Sequence, residues 1–323
     1  MSDVSTGDVA AAGTPRVSVV VRSYRRLPAL AELCAVLAGQ THESFEVVII
    51  DQSGEWSADS AAALAPFVAD LRFRFVRCAP LGGPGARNRG VREARGDVVI
   101  LVDDDDLPIG DDWVAGHERH FLSDANLVGE SARQVRADGE RSPYISRMLA
   151  RHRVLHYSVL KTPWTFARFD EDVTPVDWLH GTNSAFRREV AILAGLWDEH
   201  VRNQDEHSFA FKLKRVLRPG QYLAFKSEPR LLRRMDIPGG MDKRFSSAEG
   251  ELKNHIRFQH HVIGRYFPDL YRRGMPLYHL QALGRTLWWL ASDAKGGRTL
   301  GGRLREALAI VRAYPTLSRA ERK

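Results

Sequence analysis

Four consecutive carboxylates, Asp103–Asp106, are the strongest chemical signal in this sequence. They follow Val98–Val102, an unbroken run of β-favouring apolar residues that predicts a strand buried on both faces. If the backbone stays extended, the first and third carboxylates point one way and the second and fourth the other. Adjacent negative charges repel one another unless a cation lies beside them, and hard oxygen ligands suit Mg2+ or Mn2+. The cluster therefore predicts a divalent-metal site; a solvated acidic turn is the alternative.

A second pair of carboxylates, Asp205 and Glu206, stands immediately before His207 and the amphipathic segment Ser208–Val216. The spacing of that segment predicts a helix, so both carboxylates would lie at its N-terminus. A helix dipole stabilises negative charge there even when the side chains have no function. A carboxylate in this position can also take up a proton during a reaction. The residues alone leave helix capping and acid–base catalysis open.

The glycine-rich stretch Gly82–Gly90 runs into a predicted helix that ends near Ala94. Backbone N–H groups at a helix start can bind an anion; a flexible turn that caps the helix is the alternative. Asn88 stands where a dinucleotide fingerprint has its third glycine, and no Gly-Lys-Ser/Thr sequence follows. The stretch is therefore a candidate anion site that fits neither of these nucleotide-binding motifs.

The elements that must position these residues alternate regularly. Apolar runs predict strands over 16–21, 45–50, 71–78 and 98–102, with helices between Pro28 and Gly39 and over 58–68. This order predicts an α/β fold with parallel strands and right-handed crossovers, in which ligands bind beyond the carboxyl ends of the strands. Later strands are predicted over 127–136 and 221–225, and a mobile basic loop over 231–244.

Zinc is not an expected metal. The two cysteines, Cys34 and Cys78, both lie in apolar segments typical of buried free thiols in a reducing compartment. His117 and His120, on a helix predicted over 112–121, are one residue too close for a helical zinc pair. We interpret that helix as a surface helix.

The charge balance of the 323-residue chain is basic, with a net charge of +7 and a pI of about 9.6. Such a balance attracts nucleic acid, anionic membranes or phosphorylated substrates without choosing between them. Residues 1–15 lack the positive start and apolar core of a signal peptide, so we expect a disordered tail there. No apolar run reaches the roughly 18 residues of a membrane-spanning helix, and a cytoplasmic location is predicted.

Two regions have no single interpretation from sequence. Residues 142–173 are irregular and rich in aromatic side chains, which is consistent with a substrate groove or with a small satellite core. From about Ser246 the chain is Arg-rich with helical patterning, and Leu277–Ser292 includes Trp288-Trp289. These helices could pack on the core, or lie on an anionic membrane with their aromatic rings at the headgroups, so peripheral contact with the inner membrane face stays open.

Four segments, taken in order, resemble the family 2 glycosyltransferases, which have the GT-A fold. They are Val17–Arg26 with Glu46–Gly54, Gly82–Pro108, His180–Glu189 with Ala194–Glu199, and Gln204–Lys212. The most specific part joins Gly85-Ala86-Arg87-Asn88-x-Gly90 through Ala94-x-Gly96-Asp97 to Val102-Asp103-x-Asp105-Asp106-x-Pro108. The resemblance implies a Rossmann-like, mostly parallel central sheet flanked by helices over residues 16–245. It also implies a nucleotide-binding half over 16–110, an acceptor half over 111–245 and a helical C-terminal extension over 246–323.

The resemblance also implies roles for individual residues. Asp103 and Asp105 match an Asp-x-Asp motif and would hold the metal, while Asp205 matches the Asp of a Glu-Asp catalytic pair. The Glu of that pair is Gln204 here and Glu206 follows instead, so the catalytic base lies between Asp205 and Glu206, with Asp205 preferred. The implied donor-binding residues are Ser23, Tyr24, Asp51, Arg87, Asp103, Asp104, Gly181 and Asn183.

Within that donor-binding set, Asp51 would hydrogen-bond the base and Arg87 would face the base or the diphosphate. Gly181 and Asn183 match a Gly-x-Asn segment beside the donor sugar and the acceptor. Many relatives carry a histidine in the loop before a Gly-Gly pair, where this chain has Arg234. The contact that this histidine makes with metal or diphosphate is therefore not carried over.

The activity implied by the resemblance is metal-dependent, inverting transfer of a sugar from a nucleotide-diphosphate-sugar to an acceptor hydroxyl. UDP-sugar is the default donor, with GDP- and dTDP-sugars open, and the acceptor is a glycan, a lipid-linked molecule or a small molecule. Mn2+ or Mg2+ would stabilise the charge that develops on the leaving diphosphate. A carboxylate would remove the proton of the acceptor hydroxyl, which is a poor nucleophile near neutral pH.

Two other functions are weighed against this one. A sugar-1-phosphate nucleotidyltransferase should carry a glycine-rich phosphate loop after the first strand, but that turn, Arg22–Arg26, contains no glycine. A basic nucleic-acid- or membrane-binding protein without catalysis would explain the pI, but it gives no reason for four adjacent aspartates. No nucleic-acid partner is therefore expected.

Overall fold

The structure is a computed structural model that describes residues 15–136, 155–164, 171–201, 204–234, 237, 247–292 and 300–320. The predicted N-terminal tail lies outside the described residues apart from Pro15, and so does most of the aromatic segment 142–173.

The first third of the chain alternates strands and helices. Its strands are β1 (Val17–Ser23), β2 (Phe45–Asp51), β3 (Phe73–Arg77) and β4 (Val98–Asp103), and its helices are α1 (Leu27–Ala38), α2 (Ala58–Ala69) and α3 (Gly82–Glu93). β1 pairs in parallel with β2 and β4, and β2 pairs in parallel with β3. The predicted α/β order is confirmed, with one change: the glycine-rich stretch Gly82–Gly90 is itself part of α3 and not a loop before it.

The middle of the chain completes the sheet. Its elements are β5 (Asp106–Pro108), α4 (Trp113–Ser123), β6 (Leu127–Arg136), β7 (His156–Tyr157), β8 (Pro163–Trp164), β9 (Val173–Val176), β10 (Ser184–Arg187), α5 (Arg188–Leu193), α6 (Asp205–Val216) and β11 (Tyr222–Arg233). The strand order is β3-β2-β1-β4-β10-β6-β11-β5, with β9 beside β11, while β7 and β8 form a separate hairpin. β10 runs antiparallel to both of its neighbours, so the sheet is mixed.

Strand β11 is longer than the sequence indicates. A strand was predicted over 221–225 and a basic loop from residue 231, but β11 continues to Arg233. Its second part pairs with β6 on one side and with β5 on the other, where Arg233 lies opposite Asp106. Neighbouring strands, rather than local propensity, therefore place an arginine beside the acidic cluster.

The core lies on both faces of the sheet. Val20, Val48 and Leu101 pack with α3, α5 and α6 on one face, and alternate residues such as Val47 and Ile100 pack with α1, α2 and α4 on the other. All five side chains are at most 2% exposed. Each such side chain contributes roughly 1.5–3 kcal/mol when fully buried. Both faces of the central strands are thus fixed, and their carboxyl ends are held in register.

Helix α4 is not a surface helix, contrary to the interpretation of its His-Glu-Arg-His sequence. His117 is fully buried and contacts Glu130 at 2.7 Å, and Glu118 contacts His42 at 2.8 Å. His120 also contacts Glu130, at 2.8 Å. These groups satisfy one another under the sheet, because a buried carboxylate needs hydrogen-bond partners.

The C-terminal region is helical, as predicted. It consists of α7 (Ala248–Arg257), a π-helical turn (Phe258–Ile263), α8 (Gly264–Tyr266), α9 (Pro268–Ser292) and α10 (Leu300–Ala320). The Tyr278 hydroxyl donates to the Leu160 carbonyl at 2.7 Å, and Gln281 donates to Thr162 at 2.9 Å, so α9 packs on the β7–β8 hairpin. Among the residues that the structure describes, none of the helices combines the length and hydropathy that crossing a bilayer requires.

Candidate active site

The carboxyl ends of β1, β2 and β4 meet at one edge of the sheet. Arg22 lies opposite Asp103, and Ser23 lies opposite Asp51, in the parallel registers of these strands. This edge is where ligands bind in open α/β sheets. The first acidic residue is therefore placed at the predicted edge by strand pairing.

Three carboxylates of the acidic cluster converge. Asp103, Asp105 and Asp106 each offer an oxygen atom, and these atoms all lie within 4.8 Å of one another. The alternation expected from an extended backbone is wrong, because the chain turns at residues 104–105 before β5 begins. Asp104 points away from this group and bonds the Tyr24 N–H at 3.4 Å.

Each carboxylate of the cluster has an arginine beside it, which was not among the predictions from sequence. Arg22 forms a two-point ion pair with Asp103 at 2.6 and 2.8 Å. Arg26 bridges Asp104, at 2.5 Å, and Asp105, and Arg233 approaches Asp106 at 3.4 Å. The pairing of Arg22 and Arg26 with the aspartates could have been predicted from sequence. β1 and β4 were expected to be parallel, and the residues at their carboxyl ends carry opposite charges.

The pKa values of these carboxyl groups separate in two directions. Burial opposes ionisation of Asp103, but the Arg22 guanidinium outweighs it and lowers the pKa well below the usual range. Burial raises the pKa of Asp104 to about 6 and that of Asp106 to about 7, against the neighbouring arginines. The pKa of Asp105 is also raised, by burial and then by Asp103. A bound cation would favour the ionised form of every member.

Arg87 links this edge to the N-terminus of α6. It forms a buried ion pair with Asp205, and its other terminal nitrogen donates to the Gly181 carbonyl at 3.1 Å. A Cβ atom at Gly181 would stand 2.5 Å from that nitrogen, so this glycine makes room for the guanidinium. A Cβ at Gly83 would likewise stand 2.4 Å from a terminal nitrogen of Arg22. Both glycines accommodate arginines close to the backbone.

Glu206 lies beside Asp205 in the first turn of α6. Among the residues that the structure describes, it forms no ion pair within 4.0 Å. Burial, and then the negative charge of Asp205, raise the pKa of Glu206 to about 7, while Arg87 acts in the opposite direction. A carboxyl group with this pKa exchanges protons readily near neutral pH.

Three more of the residues predicted to bind the donor, Asp51, Ser23 and Tyr24, lie at the same edge but in different surroundings. Asp51 accepts from the Ser53 N–H at 2.9 Å and from the Trp56 indole at 2.6 Å. Ser23 is buried beside Asp104, and Tyr24 is 45% exposed at the mouth of the site. All three lie at the predicted edge, and their contacts with a nucleotide stay predictions.

Asn183 is held within the protein. It is fully buried, and its amide nitrogen donates to the carbonyls of Arg133 at 2.8 Å and Pro229 at 3.1 Å. Its amide oxygen contacts the Trp113 indole at 2.9 Å and the His117 ring at 3.2 Å. These bonds tie the residue before β10 to α4, β6 and β11, so Asn183 has a scaffolding role whether or not it also contacts a donor.

Aromatic and imidazole groups surround the other side of α6. The Tyr157 hydroxyl contacts His207 at 3.1 Å, and the ring of His207 lies 4.5 Å from that of Trp178. Burial lowers the pKa of both His207 and His180 to about 3. Both imidazoles are therefore uncharged near neutral pH. Leu155 and Tyr157 also pack on the core, which supports the satellite-core interpretation for the described part of that segment.

Comparison with known families decides the classification. The sequence model described as glycosyl transferase family 2 matches residues 18–193, more than half of the chain. This chain belongs to glycosyl transferase family 2. It is a glycosyltransferase with the GT-A fold, and the matched region contains the acidic cluster, Arg87 and Gly181.

Curated relatives of this glycosyltransferase are consistent with the family. The uncharacterized glycosyltransferase YwdF of Bacillus subtilis is 28% identical over 208 residues, which cover 62% of this chain and 71% of the relative. The uncharacterized glycosyltransferase EpsJ of Bacillus subtilis is 26% identical over 241 residues, covering 71% and 66% respectively. The succinoglycan biosynthesis protein ExoO of Rhizobium meliloti is 30% identical over 126 residues, covering 39% and 35%.

Solved structures share the fold of this glycosyltransferase. The mannosyltransferase PcManGT from Pyrobaculum calidifontis, in complex with GDP-Man and Mn2+, superposes with a TM-score of 0.55 at 21% identity, covering 95% of this chain and 84% of that one. S. aureus TarS 1-349, in complex with UDP-GlcNAc, superposes with a TM-score of 0.53 at 15% identity, covering 95% and 88%. These likenesses confirm the GT-A architecture, including the region that follows the family match.

Proposed function

We propose that this glycosyltransferase is a metal-dependent, inverting enzyme that transfers a sugar from a nucleotide-diphosphate-sugar to an acceptor hydroxyl. The observation that carries the proposal is the position of the Arg87–Asp205 ion pair. Arg87 lies close enough to the acidic cluster to lower the pKa of Asp103, and Asp205 begins α6. A cation-binding group and a proton acceptor thus lie on either side of one buried guanidinium.

The residues present fit a divalent cation. Asp103, Asp105 and Asp106 supply carboxylate oxygens within 4.8 Å of one another, the hard-ligand chemistry that Mg2+ and Mn2+ prefer. When bound, such an ion would stabilise negative charge on a departing diphosphate as a Lewis acid. Arg22, Arg87 and Arg233 stand around the same group and would add positive charge to it.

We assign the proton-accepting role to Asp205. Its pairing with Arg87 keeps it close to the acidic cluster and orients its carboxylate. Attack of the acceptor hydroxyl opposite the diphosphate would invert the anomeric centre, and Asp205 would take the hydroxyl proton as the new bond forms. Glu206 is a second candidate for this base, favoured by its pKa of about 7 and by its freedom from an ion pair among the described residues.

The donor class is supported from two directions. The exposed Tyr24 ring, Asp51 and the arginines form an edge suited to a base and a diphosphate. Structural neighbours carry GDP-Man with Mn2+ in one case and UDP-GlcNAc in the other, and both are nucleotide-diphosphate-sugars. UDP-sugars are the first donors to test, followed by GDP- and dTDP-sugars.

The acceptor is proposed as a hydroxyl on a glycan, a lipid-linked molecule or a small molecule. One relative is named for succinoglycan biosynthesis, which supports the glycan class. A cytoplasmic location and peripheral contact of the C-terminal helices with the inner membrane face remain predictions.

A donor panel tests the proposal. The chain is incubated with UDP-, GDP- and dTDP-sugars in Mn2+ or Mg2+, with and without EDTA, and the release of nucleoside diphosphate is measured. Metal-dependent release from at least one donor is expected, and Asp105→Asn should lower it by about 10²–10³-fold. Release of pyrophosphate from a nucleoside triphosphate and a sugar-1-phosphate would instead favour a nucleotidyltransferase, and turnover that EDTA leaves unchanged would contradict the metal site.

A further inference from the structure

Arg26 contacts the acidic cluster differently from the other arginines. One terminal nitrogen binds Asp104 at 2.5 Å and the other binds Asp105, so a single guanidinium spans two carboxylates. Asp104 is completely buried and lies outside the converging group, whereas Asp105 belongs to it and is 16% exposed. One arm of Arg26 is therefore fixed at a protected carboxylate, and the other occupies an oxygen atom suited to a cation.

Arg22 binds the acidic cluster in a different way from Arg26. Both of its contacts are to the same residue, Asp103, at 2.6 and 2.8 Å. Its guanidinium also lies against the backbone at Gly83, where a Cβ would be only 2.4 Å away. A two-point pair confined in this way loses both bonds at once if it separates, whereas Arg26 can release Asp105 and keep Asp104.

We propose that Arg26 is an exchangeable counter-ion of this site. Arg26 would release Asp105 with one arm when that carboxylate holds a divalent cation, and the released arm would bind the diphosphate of the donor while Asp104 keeps the other. The inference rests on the proposed function, and it assigns Arg26 a positioning role that depends on the metal. No bond is made or broken covalently in this exchange, which only redistributes ion pairs.

The exchange is favoured by charge balance. Before it, the Arg26 cation offsets the repulsion between Asp104 and Asp105 that their adjacent positions impose. Afterwards the divalent cation offsets Asp105, and the guanidinium is available to an anion that carries charge of its own. Arginine suits this second partner, because its planar group binds phosphate oxygens by two parallel hydrogen bonds.

Two affinities of Arg26→Gln test the inference, because they should change in opposite directions. Mn2+ binding without nucleotide, measured by electron paramagnetic resonance, should tighten about tenfold, since an intramolecular competitor for Asp105 is removed. Binding of UDP in saturating Mn2+, or of whichever nucleoside diphosphate the donor panel identifies, should weaken about tenfold, since a charged contact to the diphosphate is lost. Thermal melting establishes that the variant is folded.

Two further variants control the comparison. Arg119→Gln removes an arginine that is 67% exposed and paired with Asp112 on α4, and it should change neither affinity. Arg26→Lys retains one charge but cannot span two carboxylates, so Mn2+ should still bind more tightly than in the wild type. It also serves as the test variant if Arg26→Gln does not fold.

The outcomes separate the two proposals. Equal or weaker Mn2+ binding by the Arg26 variants, or unchanged nucleotide binding in Mn2+, would overturn the exchange while leaving the metal-dependent transferase intact. A wild-type chain that binds no Mn2+ would overturn both the exchange and the metal dependence on which it rests.

Discussion

The Arg87 guanidinium forms its buried ion pair with Asp205, a residue 118 positions further along the chain. The pair joins α3, which follows β3, to α6, which precedes β11. Arg87 and Asp205 are 4% and 7% exposed, and a charge separated from its partner in such surroundings is costly. This electrostatic contact thus helps to hold α3 and α6 in their relative position at the site.

The first prediction concerns the base. Asp205→Asn should lower kcat by about 10²–10⁴-fold, since a positioned proton acceptor is lost. Glu206→Gln should lower kcat by less than about tenfold, because it removes only a neighbouring charge. Single-turnover rates with the donor found by the panel measure both effects. The opposite ranking, with Glu206→Gln the more damaging change, would transfer the role of base to Glu206.

A second prediction concerns the pH dependence of the rate. Because the pKa of Glu206 is about 7, this group ionises as pH rises through neutrality, and the ionised form adds a negative charge beside the site that favours removal of the acceptor's hydroxyl proton. The pH–rate profile should therefore have a rising limb centred near pH 7. In Glu206→Gln that limb should disappear from the profile of kcat/KM. An identical limb in this variant would show that another group is responsible.

A third prediction compares Gly181 and Gly90, two glycines at which an added Cβ would lie closer than 3 Å to another side chain. In Gly181→Ala the new Cβ meets the end of the Arg87 side chain at 2.5 Å, so the guanidinium must shift and lose its bond to the Gly181 carbonyl while staying paired with Asp205. Activity should fall by about 10²-fold, with a smaller loss of stability than a clash in the core causes. In Gly90→Ala the Cβ meets Val20 Cγ1 at 2.2 Å in the core, so unfolding free energy should fall by about 1–3 kcal/mol. Urea denaturation and initial rates distinguish the two, and a loss of stability in Gly181→Ala equal to that of Gly90→Ala would contradict the prediction.

A fourth prediction concerns the scaffold under the site. Asn183→Ala leaves two carbonyls, an indole N–H and the His117 ring without their amide partner, and should lower the unfolding free energy by about 2–4 kcal/mol. Equilibrium urea unfolding measures this change. An unaltered unfolding curve together with weaker donor binding would show that the direct donor contact predicted from sequence is its main role.

A fifth prediction concerns stability and pH without added metal. The folded pKa values of Asp104, Asp106 and Glu206 are about 6, 7 and 7, above their unfolded values, so the folded state binds protons more tightly. Their stabilising contribution is present at low pH and is lost as pH rises through about 7. Asp103 acts in the opposite sense, but its contribution is complete above the unfolded pKa of about 4.

His180 and His207, whose pKa is lowered by burial, act in the opposite sense, but their contribution is complete above the unfolded pKa of about 6.5. The melting temperature in EDTA should therefore fall between pH 7 and pH 8, and Mn2+ should offset the fall by neutralising the carboxylates. Asp106→Asn should flatten the dependence, since it removes one of the titrating groups. Differential scanning calorimetry at fixed ionic strength measures these slopes. A melting temperature that rises steadily over this range in EDTA would contradict the assigned directions.

The local sequence pattern was sufficient to predict the elements whose hydrophobic periodicity or motif is specific. The run Val98–Val102 and the alternation before it predicted a buried strand in a parallel sheet, because a strand enclosed on both faces must be continuously apolar. The order of motifs predicted the family and its GT-A fold, which the comparisons confirm. The position of the acidic cluster at the sheet edge followed from the same strand.

What the sequence by itself determined was therefore the fold class, the family and the acidic edge, since these depend on periodicity and on residues close together in the chain. Only the tertiary structure decided that Arg26 spans Asp104 and Asp105, that Arg233 faces Asp106, and that Arg87 pairs with Asp205. Each pairing depends on strand register or helix packing between distant segments. Local propensity contains no information about which charge will be brought to which partner, because burial selects those pairs only once the chain has folded.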